Sequence, residues 1–415
     1  MTVPCSLKKN AVALLLLAGS MGTAQAACEI EAGSVSILSN DFPALQSIAS
    51  RVEECASDTV QVTKNQTAEH RNIQVPALTT DPAEYSVAVV SNSTLVALLN
   101  DDLVRPLDDL VEQYGQGLQE SQLIRIDGKV MAVAFMANAQ HLWYRKDLFD
   151  EAGLAAPESY EDILESSKAL RDQGIIENPM AANFKPGWDL GNEFVNMYAG
   201  FGGELFAQGS AEATINNEQG IQTLEMMKAL SSYMSPDFVT YNTNEATALW
   251  ESGQIAIYNG WGSRAGAILD PEGNASDEVR DNTQFIAAPT AGGGEVPATR
   301  LWWDGFTLAK NISNEDAAAS FQAMMHGLSP DLLAENSEQA VWLIDGYEPT
   351  PSSTGVIATV QNKALPFPML PYMGLLHTAL GDNLAEFLQG QESAEQALTD
   401  VTNAYTTAAK EGGFL

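Results

Sequence analysis

Gly128 to Phe149 reads GKVMAVAFMANAQHLWYRKDLF, and the order of residue types in it decides the architecture. Gly128-Lys129 is a turn. Val130 to Phe135 is an apolar run too short for a typical helix and of the right length for a buried strand. The neutral amides Asn138 and Gln140 interrupt it. The aromatic pair Trp143-Tyr144 follows, and Arg145-Lys146-Asp147-Leu148-Phe149 opens the next element.

Working outward, Val35 to Leu38 and Ser86 to Val90 read as buried strands, each followed by a polar turn. Ser159 can cap a helix that shows Tyr160, Ile163, Leu164 and Leu170 on one face. Ala317, Ala318, Phe321, Met324, Met325 and Leu328 mark a second helical face. Ser393 and Gln396 form a capping box before Ala397, Leu398, Val401, Ala404 and Tyr405. Strands alternate with helices, so the fold class is α/β. The 415 residues suffice for two domains of ordinary size, and 45% hydrophobic residues supply their cores. The chain has no long linker, repeat or low-complexity tract.

The N-terminus carries Lys8-Lys9, an apolar run from Ala11 to Ala18, and then Ala24-Gln25-Ala26. That order predicts a signal peptide over residues 1–26, the run being far short of the roughly 20 residues that span a bilayer. Cys28 follows, but Gln25-Ala26-Ala27 lacks the Leu that precedes a lipid-modified cysteine, so no lipid anchor is expected. In an oxidising compartment Cys28 and Cys55 read as a disulfide between the first strand and the end of the first helix. Their spacing is not C-x-x-C and no histidines cluster nearby, which speaks against a metal. Net charge is −34. Without Lys8 and Lys9, 54 acids face 18 bases, or −36. Such a chain is no natural partner of nucleic acid. Its self-repulsion would be screened in brine, which predicts a marine or salt-tolerant source.

Four further stretches belong with the first. They are APESYED at 156–162 (YAGFGGEL follows at 198–205), LWESGQIAIYNGWG at 249–262 and DGFTLAK at 304–310. In this order and at these distances they resemble the extracellular solute-binding proteins of ABC importers, the group that includes maltose-binding protein. In that group a Gly-Lys turn leads through a strand to the first interlobe crossing, and an aromatic-Asn-Lys-Asp-Leu segment follows. Here Arg145 stands for the usual Asn, and no Pro precedes the crossing. The resemblance implies a two-lobe periplasmic binding protein fold of type II, with three crossings and a ligand cleft between the lobes. Lobe 1 would hold 27–136 and 288–346; lobe 2 would hold 137–287 and 347–415. It also implies periplasmic capture of a carbohydrate or polyol by hinge closure and delivery to permease subunits. A monomer without enzymatic activity, cofactor or metal is expected.

A hydroxylated ligand needs aromatic faces for its C–H groups and amides, carboxylates or guanidinium groups for its hydroxyls. Trp261, between Gly260 and Gly262, stands where the resembling proteins stack a sugar, and Arg264 follows as a donor to hydroxyls or an acid group. Trp188 lies on the loop that supplies a stacking aromatic in that family. Trp303 and Asp304 are nominated from Trp302-Trp303-Asp304, although strand alternation sets Asp304 on the face of Trp302. Asn138 holds the polar position of the crossing. Asn92 and Asp41 follow strands, where a helix cap would look the same. Tyr372, among prolines, would close the far side.

No Walker A loop, G-x-S-x-G elbow or H-E-x-x-H motif occurs. His70, His141, His326 and His377 are scattered and read as structural. Three alternatives stay open: the same fold binding an anionic sugar or an osmolyte, a secreted carbohydrate-active enzyme, and a receptor that docks on a membrane sensor.

Overall fold

Val130–Phe135 forms the middle of a ten-residue strand, fully buried because it runs through the centre of a sheet. The computed structural model describes Cys28 and residues 30–415; the expected signal peptide lies outside them. Twelve strands follow in chain order: β1 (Gly33–Ser39), β2 (Val60–Gln66), β3 (Val87–Ser91), β4 (Leu123–Ile126), β5 (Lys129–Asn138), β6 (Gln140–Arg145), β7 (Met180–Ala181), β8 (Ile257–Trp261), β9 (Thr283–Ile286), β10 (Arg300–Leu308), β11 (Val341–Trp342) and β12 (Leu365–Pro366).

They make two sheets. The first runs β11-β5-β10-β3-β1-β2, with β4 on β5 and β12 on β10; the second runs β7-β8-β6-β9. β1, β2 and β3 are mutually parallel, whereas β10 is antiparallel to both β3 and β5. The chain leaves the first sheet at Asn138 and enters the second at Gln140, with only Ala139 between. Helices cover both sheets, as buried strand faces require. One apolar core gathers Val35, Ile37, Val133, Phe135 and Phe306. Another joins Leu142, Phe194, Tyr198, Leu380 and Tyr405.

The expected boundary at 288 is displaced. Residues 288–298 stay with the second sheet: Thr290 bridges Ser159, and its carbonyl accepts from the Tyr160 amide at 2.9 Å. Small side chains permit this close approach, since a Cβ on Gly200 would lie 2.5 Å from that of Ala298. The return to the first sheet comes at Arg300, where β10 starts. Residues 365–366, expected wholly in the second half, pair with β10 at Arg300 and Leu301.

Ser159 caps its helix as the sequence predicts, its Oγ accepting from the Asp162 amide at 3.1 Å. Ser393 accepts from the Gln396 amide at 3.2 Å, but the Gln396 side chain donates to Asp400, so only half of the expected capping box forms. Cys28 and Cys55 are disulfide-bonded, tying the lead into β1 to the turn after the helix Pro43–Glu53. Among the described residues no helix is long and apolar enough to cross a membrane.

Candidate functional site

Strand direction concentrates the polar loops. Because β1, β2 and β3 are parallel, their C-terminal ends emerge on one edge and deliver Asn40, Ala68 to Asn72, and Ser91. The antiparallel β10 brings its N-terminal part to the same edge. Asp304 pairs with Ser91, and Trp302 with Asn138 at the end of β5. Facing them are the loop Lys185–Asp189, the segment Asn242–Asn244, Trp261 at the end of β8, and Ser263 and Arg264 after it. Between the two sets lies a cavity of about 450 Å3.

Three indoles converge there. Trp188 lies 6.1 Å from Trp261 and 5.5 Å from Trp302, and Trp261 lies 5.9 Å from Trp302, the last contact edge-on. Gly262, just after Trp261, has no room for a side chain: a Cβ would meet Val356 at 2.2 Å. The loop bearing Trp188 is fixed from beneath by Glu193. Its buried carboxylate accepts from Asn183 and from Gln140, each at 2.8 Å, and burial pushes it up to about 7. Asn196, on the same helix, accepts from the Arg300 amide at 2.9 Å. This network joins the start of β6, the Trp188 loop and the start of β10.

Acids and bases around the cavity are equal in number. Glu69, Asp189 and Asp304 face Arg71, Lys185 and Arg264. Burial pushes Asp304 up to about 7 against the opposing pull of Arg71. Burial likewise raises Asp189, offset by the Thr243 hydroxyl that donates to it at 3.0 Å and by Arg71. Arg71 is lowered by burial, and Asp189, Asp304 and Glu69 resist that. Its guanidinium carbon sits 4.1 Å from the ring centroid of Trp188, and its Nε has no acceptor in the chain.

Of the nominated residues, Trp261, Trp188, Asp304, Asn138 and Arg264 line the cavity. Arg264 donates to Asn244 at 3.0 Å and lies 5.6 Å from the Phe42 ring across the cleft. The Asn138 amide is already engaged, donating to the Ser263 hydroxyl at 3.1 Å and accepting from the Ser263 amide at 3.2 Å.

Four nominated residues do not line the cavity. Trp303 points away from the cavity into the apolar cluster of Ala88, Val90 and Leu95, because alternation along β10 assigns the cavity face to Trp302 and Asp304. Asn92 is buried and acts as a tie, accepting from the Trp303 amide at 3.0 Å; Ser91 faces the cavity instead. Asp41 is exposed and accepts from Gln46 at 2.8 Å, while its neighbours Asn40 and Phe42 line the wall. Tyr372 donates to the Ser210 carbonyl at 3.0 Å with its ring 4.8 Å from Phe206, so both ends are used elsewhere.

Arg71 and Asp189 are not nominated from the sequence, and Trp302 is weighed beside Asp304 but passed over for Trp303. Arg71 follows β2, whose sequence VQVTKNQ is that of a half-exposed edge strand without an apolar run. Recognising that alternation would have placed a strand end, and so a polar loop, just before Arg71.

Residues 57–325 match the family described as bacterial extracellular solute-binding protein. A probable ABC transporter-binding protein of Deinococcus radiodurans is 25% identical over 268 residues, covering 63% of this chain and 59% of that protein. A mannitol-binding protein of Pseudomonas aeruginosa is 24% identical over 338 residues, 74% of each chain. Among solved structures, maltose-bound MalE3 of T. maritima superposes with a TM-score of 0.78 at 16% identity, over 91% of this chain and 100% of the other. A solute-binding protein of Agrobacterium vitis with bound D-mannitol gives 0.75 at 20% identity, over 92% and 100%. At such identities the superpositions speak for the fold.

Proposed function

The chain belongs to the bacterial extracellular solute-binding proteins, and from that premise we propose that it captures a neutral carbohydrate or polyol in the periplasm for an ABC importer. The observation that carries this reading is the balance of three acids and three bases around an indole-walled cavity, in a chain of net charge −34. A ligand with a net charge would upset that equality, whereas hydroxyls can both donate and accept. A relative named for mannitol and solved relatives holding mannitol and ribitol support the same class.

The protein performs no chemistry on its ligand and acts as a monomer. It works by hinge closure. The hinge consists of the chain passages at Ala139, around Thr299 and between Trp342 and Thr354. Closure brings Arg71 and Asp304 of one half against Trp188 and Arg264 of the other, and the closed form is what the permease subunits receive. Ligand at a hundred times its dissociation constant adds about 2.7 kcal/mol to the folded state, enough to read as a thermal shift. A screen of alditols, monosaccharides, oligosaccharides, sugar acids and sulfonated sugars is the test. Stabilisation by a neutral polyhydroxylated compound is expected. Stabilisation by acids alone, lost in Arg264→Ala, overturns the neutral reading; new reducing ends from oligosaccharides overturn the non-enzymatic one.

A further inference from the structure

The indoles at the cavity have little ring face left to offer. Trp261 and Trp302 are 7% and 6% exposed. Trp302 lies on Phe367 with ring centroids 4.1 Å apart. Trp188 carries the His377 imidazole stacked at 5.2 Å and the Arg71 guanidinium at 4.1 Å.

What the site does offer is hydrogen bonding. Fourteen of the 21 lining residues are polar, so polar contacts must dominate recognition. Arg71 Nε and Trp302 Nε1 are buried N–H donors without an acceptor in the chain. The carboxylates of Asp189 and Asp304 stand beside them as acceptors. A pyranose presents an apolar C–H face that needs an open aromatic ring. An alditol has no such face and carries a hydroxyl, donor and acceptor at once, on every carbon.

We propose that the site selects acyclic polyols over cyclic sugars of the same carbon number, and that Arg71 sets the preference by occupying the ring of Trp188. This rests on the neutral-ligand reading above. Arg71 belongs to the helix His70–Thr79 of the first half and Trp188 to the second, so the contact spans the cleft. A guanidinium on an indole is held by the ring quadrupole, and here Asp189, Asp304 and Glu69 attract it further. A flexible chain can lie along this fixed fork of donors; a rigid ring competes with it for the same indole surface.

Titration calorimetry on the mature chain with glucitol and mannitol, against glucose, galactose and myo-inositol, tests the proposal. The alditols are expected to bind at least about tenfold more tightly than any cyclic compound. In Arg71→Ala that ratio is expected to fall, the alditols losing a donor while the cyclic compounds gain an indole face. Arg71→Lys, which keeps the charge but not the planar fork, is expected to lower it less. A smaller wild-type ratio overturns the proposal, as does a ratio unchanged in whichever variant folds. Both outcomes leave the neutral-ligand reading standing. Binding of neither class up to about 10 mM overturns that reading and this inference together.

Discussion

Asp304 carries the clearest pH signature of any single residue at the site. Burial lifts its carboxyl from 3.8 to about 7 in the folded chain. Well below pH 3.8 the group is protonated in both states and costs nothing, and near pH 4 it still costs little. As pH rises from there to 7, the unfolded chain gives up the proton while the folded chain keeps it, so stability falls; above 7 the penalty is constant. Asp304→Asn removes that penalty. The variant should match the wild type near pH 4 and exceed it at pH 8 by about 1–2 kcal/mol, allowing for the solvent that reaches a half-buried carboxylate. The difference between the two melting curves must be read, not either alone. Glu193, also lifted to about 7, slopes the same way. His70, His141 and His377, depressed by burial to about 3, 3 and 4, slope oppositely, losing stability as pH falls below 6.5. A pH-independent difference would mean that Asp304 is solvated. This residue was legible in the sequence, and so was the conflict with Trp303: a period of two cannot send neighbours to one face. The roles of Asn92 and Asp41 were not legible, since a cap, a tie and a ligand contact share the same short polar side chains after a strand. Arg71 was hidden because nothing in its own neighbourhood marks it; only its distance to Trp188 does.

At the scale of elements, the helix Gly262–Leu269 must start within touching distance of the chain passage at Asn138. The Asn138 side-chain Oδ1 accepts from the Ser263 amide, and Val356, on the helix Thr354–Gln361, closes the gap above Gly262. Gly262→Ala should therefore cost about 1–3 kcal/mol by overpacking and should also weaken ligand binding, because Trp261 and Arg264 flank the displaced residue. Gly374→Ala is the control. A Cβ at Gly374, in the helix Met373–Asn383, meets nothing within 4 Å, so alanine should stabilise by up to about 1 kcal/mol. Chemical denaturation of both variants checks the pair; equal effects would show that crowding at the passage is absent. Strands with unbroken apolar runs, such as β3 and β5, were readable because burial on both faces leaves no other residue choice. The two-residue strands β7, β11 and β12 were not, since a pair of residues has no period. The boundary misplaced from 300 to 288 has the same origin. AAPTAGGGEVPA is loop-like by composition, and only its packing on Gly200 shows which half it serves.

For the whole molecule, charge separates stability from binding. With 54 acids against 20 bases, acids are in excess by 34, so the surface repels itself. Added salt can then do little harm to ion pairs and much good to the fold: the Debye length falls from about 10 Å at 0.1 M to about 3 Å at 1 M, shorter than the spacing of most surface charges. The melting temperature should rise steadily between those concentrations of sodium chloride. The cavity behaves differently because the three acids and three bases that line it are equal in number. A neutral ligand entering it displaces no counterion, so its dissociation constant should change by less than about threefold over the same range. The two measurements test different things. A flat melting temperature would mean that the surface acids are too dispersed to interact, and the expected salt-tolerant source would lose its physical basis. A dissociation constant that climbs steeply with salt would mean that the ligand carries charge, and the balance of Glu69, Asp189 and Asp304 against Arg71, Lys185 and Arg264 would then have to be broken by the ligand itself.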